Sequence, residues 1–293
     1  MIIDSHQHFW NYQPAKQAWI NDDMKVIRQD FLPEMLKTEF DNYAIDGCIA
    51  VQADQTEAEN MFLLHLAQDN AFIKGIVGWI DFKAADLNDK LYFYAEQEKI
   101  KGFRHIVQGE ADPNFLLRKP FLKGLSQLAG HNFTYDILVF PHQLGAVLEL
   151  VQALPHQKFV IDHIAKPYIK DGFFAGWANQ IKAIAACGNV WCKMSGMITE
   201  AGRTNWEYED LEPYMAHVLE SFGPSRIMYG SDWPVCLVAG QYAEVMEVAQ
   251  CFASGLSANE RDQFWYKNAM EFYKVSLLTD KIFYVYPQTL IIL

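Results

Sequence analysis

The sequence predicts an α/β protein that folds as a single-domain (β/α)8 barrel over residues 1–278. Short runs rich in β-branched and aromatic residues alternate with longer segments of helical period, which is typical of βα units around a parallel sheet. There are eight such runs, the number of strands that closes a barrel. Ionisable residues follow several of them, as expected at the C-terminal mouth of a barrel, where catalytic side chains lie.

Each predicted strand is a short apolar run, and each predicted helix is an amphipathic segment between two runs. The helix at 56–70 begins with a capping-box pattern from Thr56 to Glu59, and the last helix begins with another from Ser257 to Glu260. A doubly wound open sheet is the main alternative, but no glycine-rich phosphate loop follows the first run. The predicted strands are 2–4, 47–52, 73–80, 102–107, 134–139, 159–162, 190–194 and 226–230, and the predicted helices are 56–70, 84–97, 141–153, 173–186, 206–222, 242–252 and 257–273.

The composition argues against nucleic acid and membranes as partners. The formal net charge is −12, and an acidic protein is repelled by nucleic acid and by anionic membrane surfaces. No secretory signal is visible, and the five cysteines contain no CxxC pair, which predicts reduced thiols and a cytoplasmic protein. Residues 279–293 are predicted to form an apolar C-terminal appendage, shorter than the ~20 residues that span a bilayer. We expect this appendage to pack on the barrel or to join copies of the chain in a homo-oligomer.

His6 and His8 directly follow the first predicted strand. Residues i and i+2 of an extended backbone point to the same side, so the two imidazoles can converge on one point. Such a pair either holds a metal ion or polarises a bound oxygen. The simpler alternative is a pair of surface histidines near a chain terminus.

Further ionisable residues stand at the ends of later strands. Adjacent strand residues face opposite ways, so one of Arg104 and His105 is expected to be structural. His142 can instead be a helix-start residue, Lys193 a side chain that extends along apolar surface, and Asp232 a turn cap. The whole set is nevertheless too polar for packing alone, because buried ionisable groups are costly unless they serve a purpose. It comprises Arg104, His105, His142, Asp162, His163, Lys193 and Asp232.

With these residues in place, the sequence resembles the amidohydrolase superfamily, which shares the HxH pair on strand one, the histidine after strand six and the aspartate after strand eight. Within that superfamily it is most similar to the amidohydrolase-related sugar lactonases, the L-fuconolactonase group. The resemblance runs from residue 1 to about residue 275. The motifs that carry it are DSHQHFW (4–10), GFRH (102–105), FVIDHIAKP (159–167), CKMSGM (192–197) and YGSDWPVC (229–236).

The resemblance implies a hydrolase that opens the ring of a small-molecule sugar lactone to give the aldonic acid. Asp232 would act as the general base on water, and His6, His8 and His163 would stabilise the oxyanion. The same four residues would hold a metal ion if one is present. The predicted substrate-binding residues are Trp10, Arg104, His142, Lys193 and Trp233.

The resemblance leaves the metal open. Superfamily members with two metals carry a bridging lysine or glutamate after strand four, where this chain has Arg104. We therefore expect either no metal or one divalent ion, with zinc the expected element, and neutral imidazoles that donate N–H groups are the metal-free alternative. Two other functions stay open: a metal-dependent decarboxylase of an aromatic or muconate-type acid, and a barrel that binds a sugar acid without turning it over.

Overall fold

The computed structural model describes residues 1–276, which form one parallel eight-stranded sheet in chain order. The sheet closes where β1 meets β8: Gln7 pairs with Trp233, and the Asp232 N–H donates to the His6 carbonyl at 2.8 Å. The predicted (β/α)8 barrel is therefore confirmed. The strands are β1 (Ile3–Gln7), β2 (Gly47–Val51), β3 (Ile73–Gly78), β4 (Ile100–Ile106), β5 (Thr134–Leu138), β6 (Phe159–Ile161), β7 (Val190–Met194) and β8 (Ile227–Tyr229).

Helices follow the strands along the chain. They are α1 (Pro33–Tyr43), α2 (Glu57–Asp69), α3 (Leu87–Ala95), α4 (Lys119–Leu125), α5 (Leu144–Ala153), α6 (Ala175–Ala185), α7 (Met197–Ala201), α8 (Tyr208–Phe222), α9 (Tyr242–Ser254), α10 (Ala258–Asp262) and α11 (Asn268–Tyr273). A π-helical turn at Gln263–Lys267 joins α10 to α11, so the last predicted helix is nearly continuous.

Helix α1 was missing from the sequence prediction. Pro33 takes its first position, where the fixed φ of proline suits a helix start. Leu36 and Phe40, one turn apart, are buried, but most of the remaining residues are polar. With Pro33 included, three buried positions in 11 residues give a weak periodic signal, which explains why the pattern did not reveal this helix.

One of the two predicted capping boxes forms. The Ser257 side chain accepts from the Glu260 N–H, and the Glu260 carboxylate accepts from the Ser257 N–H at 2.8 Å. At α2 the prediction was wrong. The Thr56 hydroxyl donates to Asp54, and Glu59 accepts from the backbone N–H of a residue in the preceding loop instead.

The C-terminal helix α11 packs against the barrel strands. Its Phe272 and Tyr273 join a buried cluster with strand residues such as Val51, Val77 and Met228. The chain beyond residue 276, which includes the predicted appendage at 279–293, lies outside the described residues. Within residues 1–276, no helix has both the length and the apolar character needed to cross a bilayer.

Candidate active site at the mouth of the barrel

The C-terminal ends of the strands bring the predicted histidines and aspartate together. His6 lies on β1 and His8 just after it, and their Nε2 atoms are 3.2 Å apart. Asp232 follows β8, with its Oδ1 atom 3.4 Å from His8 Nε2 and 3.8 Å from His6 Nε2. The Nε2 atom of His163, after β6, is also 3.8 Å from Asp232 Oδ1. The convergence that strand alternation predicted for His6 and His8 is therefore present, and Asp232 and His163 complete the group.

The backbone around His163 and Asp232 has unusual conformations. His163 has a φ of +53° and Asp232 a φ of +57°, in the left-handed region that non-glycine residues rarely adopt. The Ser195 hydroxyl contacts His163 Nδ1 at 2.9 Å and fixes the orientation of the ring. Strained conformations of this kind persist only where the surrounding structure holds them, and they cluster at functional sites.

The partners of His8 determine which of its nitrogens carries the proton. Its Nδ1 atom lies 2.8 Å from the Val51 carbonyl oxygen, which can only accept. Nδ1 is therefore protonated, and Nε2 presents a lone pair to the site. A neutral His8 cannot donate an N–H to an oxyanion, which weakens the predicted metal-free alternative.

His6 can be held with either nitrogen protonated. Its Nδ1 atom lies 3.1 Å from Lys193 Nζ, a donor, and 3.2 Å from Asp162 Oδ1, an acceptor. If Lys193 is the partner, His6 Nε2 carries the proton and donates to His8. If Asp162 is the partner, the Nε2 lone pairs of both histidines face the site. Lys193 Nζ lies 3.0 Å from the buried Asp162 Oδ1, but no hydrogen bond of good geometry reaches that oxygen among residues 1–276, so the second arrangement would supply one.

These residues fit a divalent metal ion. Ligands of tetrahedral zinc at about 2.0–2.1 Å stand roughly 3.3 Å from one another. The spacings of 3.2 Å between His6 and His8 and 3.4 Å between His8 and Asp232 match that separation. His6, His8 and Asp232 are all buried, and the Asp162 carboxylate, with its Oδ1 atom 3.2 Å from His6 Nδ1, is placed to orient a ligating imidazole.

Burial and neighbouring charges set the protonation states. Burial tends to raise the pKa of Asp232, but His163 and His8, with Lys166, outweigh it and hold the pKa below its ordinary value. Burial lowers the pKa values of His6 and His163 well below the usual value for histidine. Asp232 is therefore an ionised carboxylate at neutral pH beside neutral imidazoles, which is the state that a general base requires.

A buried charge network supports His6. Lys193 Nζ contacts Asp136 Oδ2 at 2.5 Å and Asp162 Oδ1 at 3.0 Å. Arg104 NH1 lies 3.0 Å from Asp162 Oδ2, and the Tyr273 hydroxyl donates to Asp136 at 2.7 Å. Burial tends to raise the pKa of Asp162, but Lys193, His6 and Arg104 outweigh it and hold the pKa well below its ordinary value.

A cavity of about 380 Å³ opens above this group, a size suited to a small ligand. It contains the candidate base and two cations, and much of its remaining wall is apolar. The polar lining is His8, Arg104, Gln108, His163, Lys166 and Asp232, and the apolar lining includes Trp19, Met24, Ile106, Leu138, Phe140 and Val235.

Of the predicted substrate-binding residues, Arg104 lines this cavity. Trp10 and Trp233 are buried and pack edge-on against Phe31, with ring centroids 5.4 and 5.1 Å from it. His142 is exposed before α5, and Lys193 is fully buried in the charge network. Substrate contact by these four residues stays a prediction, and the structure places each of them outside the cavity lining.

Several residues of the site had no predicted role. Lys166 follows His163 by three residues within the FVIDHIAKP motif. The motif placed this residue near the site, but it did not show that the side chain lines the cavity. Asp136 lies inside an apolar strand, where a carboxylate is itself a signal of a buried partner. His105, in contrast, behaves as expected for the structural member of its pair: it stacks on Phe115 and contacts Glu110 at 2.8 Å.

Comparison with known proteins places the chain in a family. The family model described as Amidohydrolase matches residues 3–275. The chain belongs to the amidohydrolase family. It is similar to the L-fucono-1,5-lactonase of Burkholderia multivorans, with 39% identity over 90% of this chain and 92% of that protein. The L-fucono-1,5-lactonase of Burkholderia ambifaria is 32% identical over 93% of this chain and 95% of that protein.

The fold of this amidohydrolase also matches a solved structure along nearly its whole length. A crystal structure of an amidohydrolase from Burkholderia multivorans with bound zinc superposes with a TM-score of 0.90. The two chains are 38% identical, and the match covers 94% of this chain and all of the other.

Proposed function

We propose that this amidohydrolase hydrolyses the lactone of a neutral sugar to the aldonate, with Asp232 as the general base. It is a hydrolase of the sugar lactonase class, as its L-fucono-1,5-lactonase relatives at 39% and 32% identity indicate. The observation that carries the assignment of the base is the state of Asp232. It is ionised, 2% exposed, and lines the cavity beside three imidazoles.

The reaction needs one proton acceptor that later becomes a donor. Asp232 takes a proton from water while the water oxygen bonds to the lactone carbonyl carbon. The ring C–O bond then breaks, and the leaving ring oxygen takes the proton back from Asp232. The acid product ionises to the aldonate and releases one proton. A positioned base of this kind typically contributes about 10²–10⁴-fold to the rate.

A metal ion would be held by His6, His8 and Asp232, with His163 beside them. When bound, a divalent ion such as zinc supplies Lewis-acid polarisation of the carbonyl oxygen. Asp162 would hold His6 Nδ1–H, and the Val51 carbonyl would hold His8 Nδ1–H, so that both Nε2 lone pairs are directed at one point.

The charges of the cavity favour a neutral substrate. Arg104 is committed to Asp162, and Lys166 forms an ion pair with Glu200 at 2.7 Å. A dianionic substrate such as a pyrone dicarboxylate calls for guanidinium groups that are free to bind its carboxylates. The apolar wall, which includes Leu138, Phe140 and Val235, suits the carbon face or methyl group of a 6-deoxy sugar lactone.

A pH-indicator assay tests this proposal, because each turnover releases one proton. We expect kcat/KM to be highest for a six-carbon or 6-deoxy sugar lactone among L-fuconolactone, L-rhamnonolactone, D-galactonolactone and a pyrone dicarboxylate. A clear preference for the dicarboxylate would overturn the substrate assignment. Turnover of none of them, with release of carbon dioxide from an aromatic acid, would point to the decarboxylase instead.

A further inference from the structure

We propose that Lys166 is a specificity-determining residue that donates a hydrogen bond to a ring hydroxyl of the lactone, and that Glu200 positions it. This inference rests on the proposed function, because it concerns how the same cavity selects its substrate. The proposed hydrogen bond would recognise a hydroxyl group of the sugar away from the carbonyl that reacts.

The first support is the conformation of the chain that carries Lys166. Residues His163, Ile164, Ala165 and Lys166 all have positive φ angles, of 53°, 47°, 61° and 48°. The Lys166 N–H donates to the His163 carbonyl at 2.8 Å, which closes a left-handed turn. A run of four non-glycine residues in this region is unfavourable for L-amino acids, and such strain is kept where function needs it.

The surrounding structure holds the turn firmly. Ile164 and Ala165 are fully buried, and the Trp177 indole N–H donates to the Ile164 carbonyl at 2.7 Å. The consequence is that the first and last residues of the turn, His163 and Lys166, both line the cavity. A right-handed turn at this point would present different side chains to the substrate.

The second support is the way in which the ammonium group is held. Glu200 of α7 contacts Lys166 Nζ at 2.7 Å, and both side chains are about one-seventh exposed, at 13% and 15%. The ammonium also lies over the ring of Phe140, 6.0 Å from its centroid. An ammonium group has three donors, so a single carboxylate contact leaves capacity for a ligand oxygen.

The third support is an acceptor in the same cavity. Gln108 Oε1 is buried without a hydrogen-bond partner in the described part of the chain, and Gln108 lines the cavity with Lys166. A hydroxyl group both donates and accepts, so a polyol ring can satisfy a lysine donor and an amide acceptor together. This pairing favours a hydroxylated lactone over an unsubstituted one.

The test compares two lactones that differ in hydroxyl groups. For Lys166→Met, we expect kcat/KM for L-fuconolactone to fall by about 10- to 100-fold, mainly through KM, as expected for a hydrogen bond from a charged donor. For δ-valerolactone, which has no ring hydroxyl, the change should stay within about threefold. Lys170→Met, at an exposed lysine in the same loop, is the matched control and should leave both substrates unaffected.

Equal losses toward both lactones would overturn the proposal, since Lys166 would then act on the reaction or on the fold. Lys166→Gly separates these cases, because glycine accepts a φ of +48° at little steric cost. We expect it to unfold in urea at a midpoint no lower than that of Lys166→Met, which loses the same ion pair with Glu200, and to show the same selective loss toward L-fuconolactone. A wild-type enzyme that opens no lactone would instead refute the proposed function, and this inference with it.

Discussion

His6 Nε2 and His8 Nε2 face each other across 3.2 Å at the C-terminal mouth of the barrel. Two nitrogen lone pairs at that distance repel unless a proton or a cation lies between them. Since the Val51 carbonyl fixes the proton of His8 on Nδ1, the repulsion is relieved either by a proton on His6 Nε2 or by a cation, such as a metal ion or the Arg104 guanidinium 3.3 Å from that atom. Asp162 and Lys193, both beside His6 Nδ1, allow the site to hold either state.

The first prediction concerns metal content. We expect at most one tightly bound divalent ion per chain, because the β4 position that would have to bridge two metals holds Arg104, a cation that cannot act as a metal ligand. Elemental analysis of protein purified without chelator measures this directly. His8→Ala should lower the metal content, whereas His142→Ala, at an exposed histidine, should not. Two equivalents of zinc or manganese in the wild type would contradict the prediction.

The second prediction concerns the base. Asp232→Asn should lower kcat by about 10²–10⁴-fold, because an amide cannot take a proton from water. Asparagine tolerates left-handed backbone better than most residues, so the φ of +57° at this position should be kept. Circular dichroism and the melting temperature serve as the control for folding. Retention of more than about a tenth of the wild-type rate would show that another group is the base.

The barrel and the inner histidines could be predicted because both depend on local periodicity. Strand alternation places His6 and His8 on one side of β1. Barrel closure places the end of β8 beside β1, and so brings Asp232 to the two histidines independently of the loop conformations. Helix α1 was not predicted because its buried face is formed by few residues. Helical periodicity can be recognised where most positions of one face are apolar, but not where only Pro33, Leu36 and Phe40 form the buried face.

The sequence could not show which neighbours the side chains of the remaining predicted site residues contact. Lys193 stands near a strand end, yet it is buried between two carboxylates, Asp136 on β5 and Asp162 just after β6. Trp10 and Trp233 pack on Phe31 instead of lining the cavity. These arrangements depend on contacts between residues far apart in the chain, which a single sequence does not reveal.

The third prediction concerns the buried charges. Lys193→Met should destabilise the protein by about 3–5 kcal/mol, because it leaves Asp136 and Asp162 buried without their shared cation. Adding Asp136→Asn should restore part of the loss by removing one uncompensated charge. Urea denaturation measures both, with Lys170→Met as the surface control. A loss below about 1 kcal/mol would show that the network tolerates the missing charge, contrary to the cost of breaking a buried pair.

The fourth prediction concerns the pH dependence of stability. Burial raises the pKa of Glu59 from 4.5 to about 7 in the folded protein. Between these values the folded state binds more protons than the unfolded state, so the contribution of Glu59 to stability falls as the pH rises through this window, by about 3 kcal/mol. Glu59→Gln keeps the acceptor for the Ala53 N–H and does not titrate.

The stability of Glu59→Gln relative to wild type should therefore increase from pH 5 to pH 8, as measured by urea denaturation. Glu149→Gln, at an exposed glutamate on α5, provides the control and should show no such trend. A constant difference between Glu59→Gln and wild type across this range would mean that Glu59 ionises in the folded protein as easily as in the unfolded chain.

The fifth prediction concerns Gly196, at the start of α7. Its φ is +61°, and a Cβ atom there would lie 2.5 Å from His163 Nδ1 and 3.0 Å from Asp232 Oδ2. Gly196→Ala should therefore displace both side chains and lower kcat/KM by more than about tenfold, since shifts of about 1 Å in a catalytic group can cost 10²-fold. It should also cost about 1–2 kcal/mol of stability, because alanine is strained at this φ.

Gly145→Ala is the matched control, because Gly145 lies in α5 with nothing within 4 Å of the added methyl group. That variant should keep full activity and gain up to about 1 kcal/mol from the better helix propensity of alanine. For both variants, lactone hydrolysis measures the activity and urea denaturation measures the stability. Full activity of Gly196→Ala would mean that His163 and Asp232 can shift without loss. The left-handed backbone of both residues, fixed by the Ser195 contact and the closure of β8 on β1, leads us to expect the opposite.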